Sequence, residues 1–187
     1  MKINVLLLFI GLFLFGINIH AQQGNHFLVE MENRSPSVQD LVSGYEGFPG
    51  IPFQAMDIKG NNQFLGDYKG KTVILYFWNL SNTTSTSQID ALNLLQSRFR
   101  DNLQVVSCAD DSKEELISYM KQRPIDFPII PTSSTLSEGP YGGDLGYPKI
   151  FMIDEFGVIK WVFPSSSFSS DFDTYKVLEV LHTQLQK

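Results

Sequence analysis

Two hydrophobic periods follow one another along the chain and predict a domain of mixed strands and helices. Residues 51–65 alternate around a polar turn, which predicts a short hairpin. Residues 72–78 form an unbroken run of β-branched and aromatic side chains, as in a strand buried on both faces. Apolar side chains at spacings of three and four then predict a helix over residues 85–99.

A second strand and helix are predicted after this unit. Residues 103–108 form an apolar strand, and Ser112 with Glu115 forms a capping box for the helix that follows. Residues 123–146 are rich in Pro, Ser, Thr and Gly and contain one short extended piece, 127–130. This composition predicts a long surface excursion.

The C-terminal part predicts a hairpin followed by a helix. Two apolar arms flank a turn at 155–157, and a serine-rich loop leads to a last helix that buries Val177, Leu178, Leu181 and Leu185. The complete order of elements predicts an α/β fold, a three-layer α/β/α sandwich with a mixed central sheet and an N-terminal β-hairpin extension.

The first 21 residues resemble a secretory signal peptide. Lys2 precedes an apolar run, and the segment ends on Ile19-His20-Ala21. The run is shorter than a membrane-spanning helix requires, although a retained N-terminal anchor is the alternative interpretation. We expect cleavage near Ala21 and a periplasmic or secreted mature chain without a membrane span. Residues 22–48 then form a polar arm with one helical candidate, 38–45.

Charge and cysteine content narrow the possible functions. The net charge is −6 and no basic run is present, which argues against nucleic acid as a partner. Cys108 is the single cysteine, so no intramolecular disulfide can form. Because Cys108 ends the apolar strand 103–108, we expect a buried structural thiol; a reactive or pairing thiol is the alternative.

The polar cluster after the strand 72–78 contains hydroxyl groups but no general base. Ser85 and Gln88 fit a capping box for the next helix, and a hydrolytic role for Thr84 or Ser85 would need a base in reach. After signal-peptide removal the histidines are His26, in the arm, and His182, in the last helix. The Asp110-Asp111 pair favours a helix N-terminus rather than a metal site. We expect neither a metal nor another cofactor.

Three segments together resemble the TlpA-type thioredoxin-like proteins of the bacterial envelope, within the thioredoxin, redoxin and AhpC/TSA group. They are the stretch 57–71, the pair Phe77-Trp78 and the stretch 146–157. The resemblance covers residues 49–187 and implies a thioredoxin-like domain over that range. It also implies that Pro148 is cis and turns the backbone N–H and C=O of Tyr147 outward, where an extended peptide can pair with them.

The resemblance fails at the catalytic positions. It places Asn82 where the family has its nucleophilic cysteine and Ser85 where it has the resolving cysteine. Thiol–disulfide exchange needs a thiolate and a leaving thiol, and an amide and an alcohol supply neither. A peroxiredoxin-type register that starts from Thr83 puts Thr86 at the cysteine position, which is equally unreactive.

The sequence therefore predicts a redox-inactive binding module. The residues expected to bind are Ser81, Asn82, Thr83, Thr84, Ser85, Tyr147 and Pro148, and the expected occupant is an extended peptide, a protein or a small anion. One alternative is a cell-envelope thiol–disulfide oxidoreductase or antioxidant protein that works through Cys108 or a partner's thiols. The other is a structural interaction subunit that makes contact through residues 123–146 or the arm.

Overall fold

The computed structural model describes residues 37–169 and 172–187. The predicted signal peptide and residues 22–36 of the predicted arm lie outside this part of the chain. Residues Val38–Lys187 form one compact unit. None of the helices in the described ranges is both long and apolar enough to cross a bilayer.

Six helices, seven strands and three short 3₁₀ turns lie in the described part of this unit. In chain order they are α1 (Val38–Ser43), β1 (Gln54–Met56), β2 (Asn62–Phe64), β3 (Thr72–Trp78), α2 (Thr83–Ser87), α3 (Ile89–Arg98), β4 (Leu103–Ala109), α4 (Lys113–Met120), β5 (Ile129–Ile130), α5 (Ser134–Glu138), β6 (Lys149–Ile153), β7 (Ile159–Phe163) and α6 (Thr174–Leu185). The predicted Ser112–Glu115 capping box is present at the start of α4.

The main sheet has the order β5-β4-β3-β6-β7. Strands β3, β4 and β5 are parallel, whereas β6 and β7 are antiparallel to their neighbours. Strands β1 and β2 form a separate antiparallel hairpin. The predicted α/β fold with a mixed sheet is therefore confirmed.

Strand β3 is buried along its whole length because both faces of the sheet are covered. Ile74, Tyr76 and Trp78 pack in the layer that contains buried residues of α3, α4 and α6. On the opposite face, the side chains of Val73, Leu75 and Phe77 pack against α1 and against the segment 131–147. Alternation along a doubly buried strand explains why the sequence shows no polar face here.

The sequence suggested that residues 123–146 form a surface excursion, but this segment also builds part of the core. It contributes β5 and α5, and it buries Tyr141 and Leu145 against the sheet. The Tyr141 ring packs against Phe77 and Phe151, and its hydroxyl donates to the carbonyl of Ile51 at 2.7 Å. The sequence did not reveal this covering layer because its two large buried side chains, Tyr141 and Leu145, stand among small polar residues.

Cys108 is a free thiol with no exposed surface, as its position in an apolar strand predicts. It packs in the layer formed by segment 131–147, and burial raises the pKa of its thiol. The neighbouring Ser107 is equally buried. Successive residues of a strand point to opposite faces, so both faces are closed at this position.

We predict that Cys108 in the native protein resists thiol reagents and forms no disulfide-linked dimer under oxidising conditions, because neither reagent nor partner reaches it. The measurement is labelling with a chromogenic disulfide before and after denaturation. A Thr183→Cys variant, with a thiol at an exposed position of α6, is the control that should label at once. Rapid stoichiometric labelling of the native wild type would contradict the prediction.

Candidate functional site

The loop between β3 and α2 is held in place by its own polar side chains. The carboxamide oxygen of Asn79 accepts hydrogen bonds from the Ser81 hydroxyl and the Asn82 N–H, both at 3.0 Å. The Leu80 N–H donates to the Asp111 carboxylate at 2.8 Å, and burial raises the pKa of that carboxyl. Asp111 therefore ties the loop to the end of β4, a role beyond the helix electrostatics expected from the sequence.

Asn82 is the N-cap of α2. Its Oδ1 accepts a hydrogen bond from the Ser85 N–H at 3.1 Å, and its backbone carbonyl accepts one from Thr86. The predicted capping box of Ser85 and Gln88 is wrong. Ser85 lies inside α2, fully buried, and its hydroxyl has no partner among the described residues, while Gln88 separates α2 from α3. Asn is at least as good a cap as Ser, so the helix begins earlier.

The amide nitrogen of the Asn82 side chain reaches the pair Tyr147-Pro148, the other part of the predicted site. Its Nδ2 donates to the backbone carbonyl of Tyr147 at 2.9 Å. The Tyr147–Pro148 peptide bond is cis, the isomer that the resemblance implies. The structure thus brings the loop 81–85 and the pair 147–148 together. The carbonyl of Tyr147, however, is bonded to Asn82 instead of being free for a peptide, and Pro148 is buried.

Beneath the loop, Tyr76 braces the helix α2. Its hydroxyl donates to the Ser85 carbonyl at 2.6 Å, and its ring stacks on Trp78. Full burial raises the pKa of Tyr76 well above its usual value. The side chain therefore stays a neutral hydrogen-bond donor.

Lys149, which follows the cis-proline, is a residue that sequence reasoning missed. It is only 1% exposed, and its Nζ donates to the carbonyls of Ser137 at 2.8 Å and Gly142 at 2.6 Å. The Phe77 and Tyr147 rings each lie 5.3 Å from the ammonium. Burial lowers the pKa of Lys149 to about 8. Lys149 thus fastens segment 137–142 to the strand that carries the site.

In the described ranges, neither a histidine nor a metal cluster accompanies the hydroxyl groups of the loop. The Nδ1 of buried His182 lies 3.1 Å from the hydroxyl of Thr72, which begins β3 at the end opposite the site loop. His26 lies outside the described residues. In the same ranges, no three His, Cys, Asp or Glu side chains are arranged to hold a metal ion. Ser85 itself is fully buried, so its hydroxyl is not exposed to a substrate.

We predict that Asn82→Ala lowers the free energy of unfolding by about 1–2 kcal/mol, because the helix cap and the bond to Tyr147 are both lost. Asn82→Ser keeps a capping oxygen but cannot reach Tyr147, so it should cost about half as much. Chemical denaturation of the two variants measures both contributions. Equal stability of Asn82→Ala and wild type would show that these two hydrogen bonds of Asn82 contribute nothing to the free energy of unfolding.

We predict a pH-dependent stability difference between wild type and Lys149→Met. An unfolded lysine stays protonated up to about pH 10.4, whereas folded Lys149 has a pKa of about 8. Between these values the unfolded chain binds more protons. The wild type therefore gains stability relative to the variant by up to about 1.4 kcal/mol per pH unit. Lys121→Met, at an exposed position, is the control, and a flat or falling difference for Lys149→Met would contradict the prediction.

Comparisons with known proteins agree with this fold. The AhpC/TSA family model matches residues 47–162, which is more than half of the chain. Thioredoxin-like protein YneN of Bacillus subtilis is 28% identical over 119 residues, 62% of this chain and 69% of that protein.

A thiol:disulfide interchange protein of Chlorobium tepidum superposes with a TM-score of 0.64 at 20% identity, covering 76% of this chain and 98% of that one. The exposed lipoprotein thioredoxin of Streptococcus pneumoniae gives a TM-score of 0.60 at 20% identity, covering 72% and 99%. These two structures show the fold alone. The chain belongs to the AhpC/TSA family, as a redoxin of thioredoxin-like fold that lacks the Cys-x-x-Cys motif.

Proposed function

We propose that this protein is a redox-inactive binding module that works outside the cytoplasm. The observation that carries the proposal is the position of its single thiol. Cys108 is fully buried in β4, in the layer opposite the one that contains Tyr76 and α3. Thiol–disulfide exchange needs an accessible thiolate, and Asn82 and Ser85 occupy the positions where the family's cysteines would stand.

Among the possible occupants, an extended peptide fits the site better than a small anion. Asn82 already satisfies the Ser85 N–H, and α2 has only five residues, so little positive potential remains for an anion. The N–H of Tyr147 has no acceptor in the part of the chain that the structure describes. A backbone donor beside exposed Ser81 and Thr83 is suited to the carbonyl of an extended chain.

The cellular location and the domain limits are part of the proposal. The apolar N-terminal run and Ala21 favour export and cleavage, which would place the mature protein in the periplasm or the medium. Residues 49–187 would then form the binding domain, preceded by the arm 22–48. One of the similar solved structures is described as an exposed lipoprotein.

The direct test is a nuclear magnetic resonance titration of the mature chain with S-methylated insulin B chain as an extended probe. The proposal predicts saturable shifts of the Tyr147 amide and of residues 81–84. Thr83→Arg should weaken binding about tenfold, because it crowds the rim, whereas Thr183→Arg on α6 should have no effect. Shifts confined to other surfaces, or no shifts, would refute the peptide site.

The lost chemistry should be recoverable. Since Asn82 Oδ1 lies within hydrogen-bonding distance of the Ser85 N–H, side chains at these positions meet in the first turn of α2. We predict that Asn82→Cys with Ser85→Cys creates a pair that oxidises to a disulfide, seen as the loss of two hydrogens by mass spectrometry. A folded double variant whose thiols cannot be bridged would show that the two positions are wrongly assigned.

A further inference from the structure

An open seam separates the β1–β2 hairpin from the edge of the main sheet. The two are joined where the Ile58 N–H donates to the Ile129 carbonyl at 2.9 Å. Beside this bond, residues 52–56 line a cavity of about 430 Å³ together with residues 130–133, 135, 136 and 140. None of the residues that line it belongs to the site loop.

Strand β1 presents unpaired backbone groups to this seam. Asp57 donates its N–H to the carbonyl of Asn61, the residue directly opposite it in the register of the hairpin. Hydrogen-bonded and non-bonded pairs alternate along an antiparallel ladder, so Ala55 is the next residue bonded to β2. Gln54 and Met56 therefore point their N–H and C=O groups away from β2, on the side where Ile58 meets Ile129. Neither residue has a partner for these groups in the described chain.

The chain after β5 explains why the seam stays open. Pro131 has no N–H to offer, and Thr132 has a φ of 48°, a value uncommon for a β-branched residue. The N–H groups of Thr132 and Ser133 donate to the carbonyls of Asp111 and Ala109, both at 3.0 Å. This backbone is thus turned towards the end of β4, and β5 stops after two residues.

The residues that line the seam favour binding of an uncharged segment. All twelve lining residues are uncharged, in a chain whose net charge is −6. Apolar side chains and prolines make up most of the lining, with a few hydroxyl and amide groups between them; the apolar members include Phe53, Met56, Ile130, Pro131, Leu136 and Pro140. A charged segment would lose its hydration here without gaining a partner charge.

We propose that the seam between β1 and β5 is a docking site for an uncharged extended segment of a partner protein. The segment adds to β1 as a strand, with backbone hydrogen bonds to Gln54 and Met56. Its alternate apolar side chains fill the cavity beside Leu136. The site is independent of the proposed peptide site at Tyr147.

Amide hydrogen exchange in the mature chain tests this proposal. The probe is a blocked peptide of about six residues in which Thr and Val alternate, long enough to pass the edge of β1. With a dissociation constant on the order of 1 mM, the peptide at 5 mM should occupy about five sixths of the sites and slow exchange at Gln54 and Met56 up to about sixfold. Ala55, already bonded to β2, should not change and is an internal control. The same peptide with alternate backbone nitrogens methylated should have no effect.

A matched pair of variants separates the seam from other surfaces. Thr135→Arg places a long charged side chain at the seam and should weaken binding about tenfold, whereas Thr183→Arg should bind like wild type. The proposal is overturned if exchange at Gln54 and Met56 is unaffected by the peptide. It is also overturned if Thr135→Arg binds normally, or if both amides become protected at rising protein concentration alone, which would assign the seam to a second copy of the chain.

Discussion

The two-ended hydrogen bonding of Asn82 is the interaction on which the candidate site depends. One end of its carboxamide caps α2 through the Ser85 N–H, and the other bonds the carbonyl of Tyr147. A carboxamide carries an acceptor and a donor on one planar group, so it satisfies both ends without a charge. A cysteine at this position would leave the carbonyl of Tyr147 without this partner. One uncharged side chain therefore holds both the start of α2 and the carbonyl before the cis-proline in place.

Two ionisable side chains reinforce this arrangement from opposite sides. Asp111 holds the loop through the Leu80 N–H, and Lys149 holds segment 137–142 through two carbonyls. A buried ammonium is tolerated only when hydrogen bonds replace its hydration, and here two carbonyls and two aromatic rings do so. The loop, the cis-proline and the covering segment are thus positioned by one connected set of contacts.

The sequence predicted those parts of the fold that depend on local pattern. Strands β3, β4 and β6 were recognisable because apolar runs identify strands buried on both faces. Strand β7, whose Lys160 is exposed, was recognisable as the second arm of a hairpin, and the Ser112 cap because its partner is three residues away. The start of α2 was missed because Asn82 and Ser85 both suit a cap. What favours Asn82 as the cap is its second hydrogen bond, which joins it to the carbonyl of Tyr147, 65 residues away in the sequence. Lys149 was missed for the same reason, since its carbonyl partners are set by tertiary structure.

We propose that this redoxin has kept the thioredoxin-like fold and lost the thiol–disulfide reaction. The most direct measurement is the rate at which the purified mature chain reduces insulin disulfides with dithiothreitol as the electron donor. We expect the rate of dithiothreitol alone, because Cys108 is buried and no thiol stands at positions 82 and 85. Turnover above that rate, abolished by Cys108→Ser, would refute the loss of the reaction and assign catalysis to the one remaining thiol.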